Sequence, residues 1–386
     1  MIAPRRFVLG AAPRRVACGL VLVGAAAAVA GVAGDPGRTW PGLLLNGFYL
    51  ISIALAGMVF LSLQYLSGAV WCAGIRRIPE ALMSVLPIAA VLMLGLFFGR
   101  GWIYHGRGPG AAPLPAAKAL YLGAPFFFGR MALFVLVWSV FALLMRRTSV
   151  RQDDDPAPRH HRRMVRYSAA FAVVFAISFS LASFDWIMTL DPQWTSTIFA
   201  VYLFAGMLAQ GIAAITLIVV LLRERGDLDG VVDENHLHDL GKLLFAFSTF
   251  WAYIWFSQYL LIWYANIPEE TSYYVRRTGA PWVALFFMNV VVNWAIPFLV
   301  LLPRAAKRHA TVLKWVAIVM LAGRWLDLYV AVMPQLAAAP ALHPIDVLIA
   351  AGYAGAGFLV ATRALASVAL VPLNAPGLRE SLAHRQ

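Results

Sequence analysis

HLHDLGKLLFAFSTFWAYIWFSQYLLIWYANIPEET, running from His236 to Thr271, decides what kind of fold this chain adopts. Ten of the twenty residues from Phe245 to Tyr264 are aromatic, against 13% of the whole chain, and no proline or glycine interrupts them. An unbroken apolar run of this length reads as a helix crossing hydrocarbon, because only a helix bonds every backbone group within the segment. His236, His238, Asp239 and Lys242 fence it on one side, and Asn266, Glu269 and Glu270 on the other. Tyr253, Gln258, Tyr259, Trp263 and Tyr264 place hydroxyl, amide and indole groups at several depths, so the helix is expected to pack against protein on most sides. Aromatic bulk without function is the default explanation for any single ring.

The rest of the chain follows suit. It is 61% hydrophobic and 13% charged, with a mean hydropathy of +0.75, which is the composition of a polytopic membrane protein. The net charge of +13 would suggest nucleic acid in a soluble protein, but the basic residues sit in short loops between apolar spans. There they report topology, and no nucleic-acid partner is expected. Cys18 and Cys72 form no CxxC or CxxCH motif, so this chain alone ligates neither an iron-sulfur cluster nor an attached haem c.

Apolar windows recur at about residues 16–33, 43–66, 80–99, 124–145, 166–190, 195–222, 240–265, 281–302, 312–333 and 345–365, each near the roughly twenty residues a bilayer requires. Ten transmembrane helices threaded from an inner N-terminus put twenty-three Lys and Arg inside and six outside, with Arg130 and Arg324 within spans. That imbalance places both termini in the cytoplasm. Arg5, Arg6, Arg14 and Arg15 before an Ala-rich segment also fit a signal peptide, but the charge alternation continues unbroken through this first helix and favours an uncleaved one. The segment from Arg146 to Arg166, with seven arginines and Asp153-Asp154-Asp155-Pro156, reads as a solvated, mobile connection. The Gly- and Pro-rich stretch from Arg100 to Gly123, with His105, reads as an outer linker.

Equal spacings suggest a repeat. Gly123-Ala124-Pro125 opens the fourth helix as Gly279-Ala280-Pro281 opens the eighth, and Asp185 precedes Pro192-Gln193 by the same seven residues that separate Asp327 from Pro334-Gln335. The expected architecture is therefore all-α, with four-helix bundles formed by helices two to five and six to nine and with peripheral helices one and ten. Its divisions are 1–42, 43–190, 191–334 and 335–386.

A charge inside a bilayer costs roughly 2.5 to 3.5 kcal/mol on insertion scales, so each needs a reason. Asp185 lies about 9 Å inside Asp191 at the rise of an α-helix. Arg324 and Asp327, three residues apart, share a helix face. Two accounts stand: structural pairing, Arg324 with Asp327 and Asp185 with Arg130, or a protonatable path through buried carboxylates. Trp186, Tyr202, Tyr264, Trp325 and Tyr329 would suit a flat quinone ring or line a proton wire. Glu80, with His236 and Asp239, would form the opposite, inner mouth. HxHD at 236–239 has no third ligand nearby and is not expected to hold metal. All eight histidines fall in loops or at span ends, which excludes a b-type haem held between mid-membrane histidines.

Three stretches carry a resemblance: SFDWIMTLDPQWTSTIFAVYLFAG (Ser183 to Gly206), ENHLHDLGKLLFAFSTFWAYIWFSQYLLIWYANIPEET (Glu234 to Thr271) and GRWLDLYVAVMP (Gly323 to Pro334). They resemble the NrfD-type membrane subunit of alternative complex III, and most nearly its F-type subunit, often labelled quinol:cytochrome c oxidoreductase quinone-binding subunit 2. The likeness spans roughly residues 40 to 340. It implies a ten-helix protein of the bacterial inner membrane, working with a second NrfD-like subunit, an iron-sulfur subunit and c-type cytochrome subunits that carry the haem c and the clusters. Such a complex oxidises membrane quinol and passes electrons to a cytochrome c or a terminal oxidase. Asp185, Asp191, Arg324 and Asp327 stand at matching motif positions, and the resemblance implies a proton route through them.

Overall fold

The computed structural model describes residues 6–104 and 114–384. Arg5 and His105 lie outside them. Ten long helices follow in order: α1 (Ala11–Gly34), α2 (Pro36–Ser67), α3 (Arg77–Phe97), α4 (Ala124–Asp154), α5 (Pro158–Leu190), α6 (Phe199–Glu224), α7 (Glu234–Ala265), α8 (Val283–Leu301), α9 (Ala310–Gln335) and α10 (Pro344–Ala366). Among the described residues there is no strand, only one isolated bridge between Arg6 and Ala369. The chain is an all-α, multi-pass integral membrane protein.

Nine of these helices are long and apolar enough to cross a bilayer by length and composition, and α7 is the one left out. Its 32 residues are more than sufficient in length. The reason is chemical: Trp and Tyr lower a hydropathy sum through one N–H or O–H each, although most of their surface is apolar ring. The expectation that α7 packs against protein on most sides is not met within this chain. Ser248, Trp251, Ile254, Gln258 and Ile262 are buried at helical spacing, whereas Tyr253, Phe256, Trp263 and Tyr264 are exposed. One stripe is covered, and the remaining aromatic surface faces outward.

Helix neighbours fall into two rings. α2 packs on α3, α3 on α4, α4 on α5 and α5 on α2; α6, α7, α8 and α9 close in the same sequence. The rings meet chiefly where α2 packs along α6, with α5 on α6 and α9 on α2 beside it. α1 and α10 pair with each other and lie over α2, with α10 also on α3. Two helices are interrupted. α3 breaks at Ser84–Val85, and α8 contains a π-helical turn at Val291–Ala295. Pro297 cannot donate to the carbonyl one turn back, so the ladder widens ahead of it.

The arginine-rich connection is not a mobile loop. α4 runs to Asp154 and α5 starts at Pro158, leaving only Asp155, Pro156 and Ala157 between them. Hydrogen bonds hold the corner: Asp155 accepts from the His160 ring at 2.9 Å, from the Ala157 N–H at 3.1 Å and from Arg159. These donors, the His160 ring first, hold the Asp155 carboxyl down at about 2. The segment is solvated as expected, with six of its seven arginines exposed, but it is ordered, because the helices extend beyond the apolar windows. We call this end of the molecule the basic end and the opposite one the far end.

Candidate functional site

Two buried acids occupy the far halves of the two rings. In the second ring, Asp327 on α9 has no exposed surface. Its carboxylate pairs with Arg324 one turn earlier and accepts hydrogen bonds from the Tyr202 hydroxyl of α6, from Asn289 Nδ2 of α8 at 2.7 Å and from Trp251 Nε1 of α7 at 3.2 Å. All four helices of the ring thus converge on one side chain. Asn289 and Trp251 were not among the residues expected from sequence. Their only signals there are an amide in an apolar span and one indole among many rings. Below them Asn293, in the π-helical turn, donates to Gly323 O at 2.8 Å and ties α8 to α9.

In the first ring, Asp185 on α5 is equally buried, but its surroundings differ. Oδ2 accepts from Arg130 Nε of α4 at 2.9 Å, while Oδ1 has no hydrogen-bond partner among the described residues. Arg130 also donates to Tyr121 O at 2.9 Å, and its guanidinium lies over the Tyr121 ring at 3.7 Å and the Phe126 ring at 4.5 Å. Trp186, next to Asp185, is packed edge-on to Phe48 and Trp138, with its indole N–H unpartnered.

Asp191 does not join Asp185. It lies at the far end, accepting from Gln193 N at 3.2 Å with Arg276 3.9 Å away. Tyr264 is 83% exposed at the end of α7 and belongs to neither acid site. Trp325 and Tyr329 stack on each other with ring centroids 5.4 Å apart, on the face of α9 turned from Asp327 toward α2 and α10. Trp325 Nε1 donates to Asn46 Oδ1 of α2 at 3.0 Å.

That face lines an apolar groove of about 840 Å³ between α2, α6, α9 and α10. Its walls run from Val347 to Leu365 along α10, about 27 Å at the helical rise and close to the ~30 Å hydrocarbon thickness. Asn46, Tyr49 and Trp325 give it polar atoms toward one end, and Glu224 and Arg225 toward the other.

The inner-mouth residues form two separate networks at the basic end. Glu80 on α3, with no exposed surface, accepts from Arg77 at 2.6 Å and from the Ser149 hydroxyl, with Arg76 Nε 3.3 Å away. Arg77 continues to Asp153, which accepts from Leu373 N at 3.2 Å in the C-terminal tail. Arg76 continues to Tyr65 at 2.6 Å and Gln152 at 3.3 Å. His236 and Asp239, on α7, instead meet the last described turn of the tail. His236 is capped by Asp233 at 2.7 Å and touches Ser381 at 3.4 Å; Asp239 pairs with Lys242 at 2.6 Å and with His384 at 2.7 Å. Among the described residues no group of three or more His, Cys, Asp or Glu side chains is arranged to hold a metal ion.

No protein-family model matches this chain, and no curated protein matches it significantly.

One further buried cation was not anticipated. Arg277, in the short helix Pro268–Thr278, donates to Val330 O at 2.9 Å and Ala331 O at 2.8 Å, the carbonyls closing α9, and stacks over Tyr273. Burial lowers its pKa from the usual arginine value. A cation on helix-terminal carbonyls satisfies groups that α9 cannot bond within itself.

Proposed function

We propose that this chain is a membrane subunit of a respiratory quinol:cytochrome c, or quinol:electron acceptor, oxidoreductase of the alternative complex III kind. In this reading it contributes a proton path and quinone contacts, while haem c and iron-sulfur clusters belong to c-type cytochrome and iron-sulfur subunits and a second NrfD-like subunit lies alongside in the bacterial inner membrane. The observation that carries it is Asp185: a fully buried carboxylate whose Oδ2 is held by Arg130 while Oδ1 has no hydrogen-bond partner among the described residues. A carboxylate oxygen kept dry and unbonded is costly unless it exchanges a proton or meets water. Asp327 with Tyr202 would be its counterpart in the second ring. The groove beside Trp325 and Asn46 has the length and apolarity for an isoprenoid tail, and the exposed aromatic face of α7 offers a surface to a partner subunit or to lipid.

The test is Asp185→Asn and Asp327→Asn in the assembled complex, measuring quinol:acceptor turnover together with proton release. Slowed turnover or lost proton release with intact assembly supports the reading; both unchanged sinks it. The polypeptide purified alone should show no haem absorbance band.

A second reading, a structural anchor for redox partners, draws on Glu80. Its two oxygens are closed off by Arg76, Arg77 and Ser149, as a clamp between α3 and α4 would be. A secondary transporter has less behind it. The interruptions fall in α3 and α8, which the four-helix shift does not pair, whereas inverted or parallel repeats place theirs at corresponding positions.

A further inference from the structure

The seam where the two rings meet holds a second kind of site. Arg324 is 1% exposed, and while it faces Asp327, its Nε and Nη2 have no hydrogen-bond partner among the described residues. It lies against the bare backbone of Gly206 on α6. One turn along the same face of α6 comes Gln210, also 1% exposed. Its Nε2 donates to Tyr49 O of α2 at 3.1 Å, and its Oε1 is unpartnered. Tyr49 closes the circle by donating its hydroxyl to Leu321 O, one turn before Arg324, at 2.9 Å. Ser52, the next turn of α2, is fully buried with a hydroxyl that also lacks a partner.

Three helices thus bring two guanidinium donors, an amide acceptor and a hydroxyl to one stretch of the interface, all unsatisfied. Each such group costs about 1–3 kcal/mol when left dry, and more when charged. An aliphatic side chain at Gln210 or Ser52 would have avoided that cost. The set also matches the needs of bound water, which requires two to four polar partners of mixed sign. Neither an anion nor a cation suits it as well: the single positive group is already neutralised by Asp327, and the remaining groups are neutral.

We infer that the α2–α6–α9 seam binds ordered water, held by Arg324 and Gln210 and extended toward Ser52. This water gives the Asp327 pocket a hydrated connection along the boundary between the rings. Arg324 and Gln210 are its ligands, and Gly206 is the position that leaves room for the guanidinium. The inference concerns hydration of the seam and stands whether or not the respiratory reading does.

The experiment is a map of the intact protein in its native assembly at a resolution that shows water, paired with radiolytic hydroxyl-radical labelling, which marks buried side chains beside bound water. Density within hydrogen-bond distance of both Arg324 and Gln210, with Tyr202 on the same face of α6 labelled despite its burial, is the expected result. Gln210→Met should remove both signals, and Gln210→Glu, which keeps an acceptor, should restore the labelling. A guanidinium satisfied by protein carbonyls with no density beside it would overturn the inference. So would a lipid or quinone headgroup in that density, or Tyr202 labelling unaltered in a folded Gln210→Met protein.

Discussion

Gly206 and Arg324 are in direct contact across the α6–α9 interface: a Cβ at Gly206 would stand 2.1 Å from the guanidinium carbon. The charge pair on α9 therefore depends on a missing side chain on α6. Gly206→Ala should push Arg324 off Asp327 and cost about 1–3 kcal/mol, the range for overpacking a close-packed interior. Thermal unfolding in detergent or nanodiscs reads this. A melting temperature equal to that of the unaltered protein would show that the guanidinium is free to move aside.

Removing one partner of the pair should cost more than removing both. Arg324→Met leaves a buried carboxylate with three neutral donors and should destabilise by about 3–5 kcal/mol, whereas Arg324→Met with Asp327→Leu should recover much of that loss. The comparison is a double-mutant cycle on the unfolding free energy. Equal losses in the single and double variants would mean that Tyr202, Trp251 and Asn289 suffice for Asp327.

At the other acid the order is different. Arg130 touches Asp185 through Nε and Tyr121 through both its carbonyl and its ring. Arg130→Lys cannot reproduce a stacked guanidinium that donates to Asp185 and to Tyr121 O at once, so it should fall nearer to Arg130→Ala than to the unaltered protein. Asp185→Asn keeps the volume and a hydrogen-bond acceptor for Arg130 and should be the mildest of the three. Yield of folded protein and melting temperature give the ranking, and a lysine variant as stable as the original would contradict it.

What could be read in the sequence, and what could not, divides along covalent distance. Arg324 and Asp327 are three residues apart on one chain of turns, so their pairing follows from helical period alone. Asp185 with Arg130 needed only two neighbouring spans in an up-and-down order. Asn289, Trp251 and Gln210 reach their partners from helices that sequence spacing cannot orient, so an amide or indole in an apolar run looked like any other. Tyr264 failed in the opposite way. It ends α7 beside Leu261 and Trp263, which are exposed as well, and of that turn only Ile262 turns inward. The basic connection is ordered because its Gln152 and Asp153 meet Arg76 and Arg77 at the start of α3, partners that its own arginine count does not reveal.

α1 and α10 were expected to be peripheral, and they are held by a backbone-to-backbone crossing. A Cβ on Gly24 would stand 2.5 Å from the Cα of Gly352, and one on Gly355 3.0 Å from Ala17 O. In hydrocarbon such close approach is a principal source of helix association, since apolar side chains gain little by leaving lipid. Gly352→Ile should separate the pair without unfolding either ring. Thiol-reagent access to Ala27→Cys, a buried position near Gly24 on α1, measures the separation once Cys18 is removed; unchanged access would show that contacts to α2 hold α1 alone.

The start of α7 offers a pH dependence with a definite sign. Asp233 accepts from Asn235 N at 2.9 Å and His236 N at 3.0 Å, capping two of the first free N–H groups. Burial pushes its carboxyl up, but the His236 backbone and ring and the Asn235 side chain outweigh it and bring it down to about 2. A carboxyl depressed below its unfolded value of about 3.9 stabilises the fold above that pH, and the contribution is lost as pH falls through about 2. Asp233→Ala should therefore cost about 1 kcal/mol at neutral pH, and its difference from the unaltered protein should shrink between about pH 4 and pH 2. Asp233→Asn keeps the capping oxygen and should lose little at neutral pH, but it should show no dependence on acid from this site. Melting temperatures of the three proteins across that range decide it, and a gap between aspartate and alanine that persists at pH 2 would mean the cap is not held by the charged form.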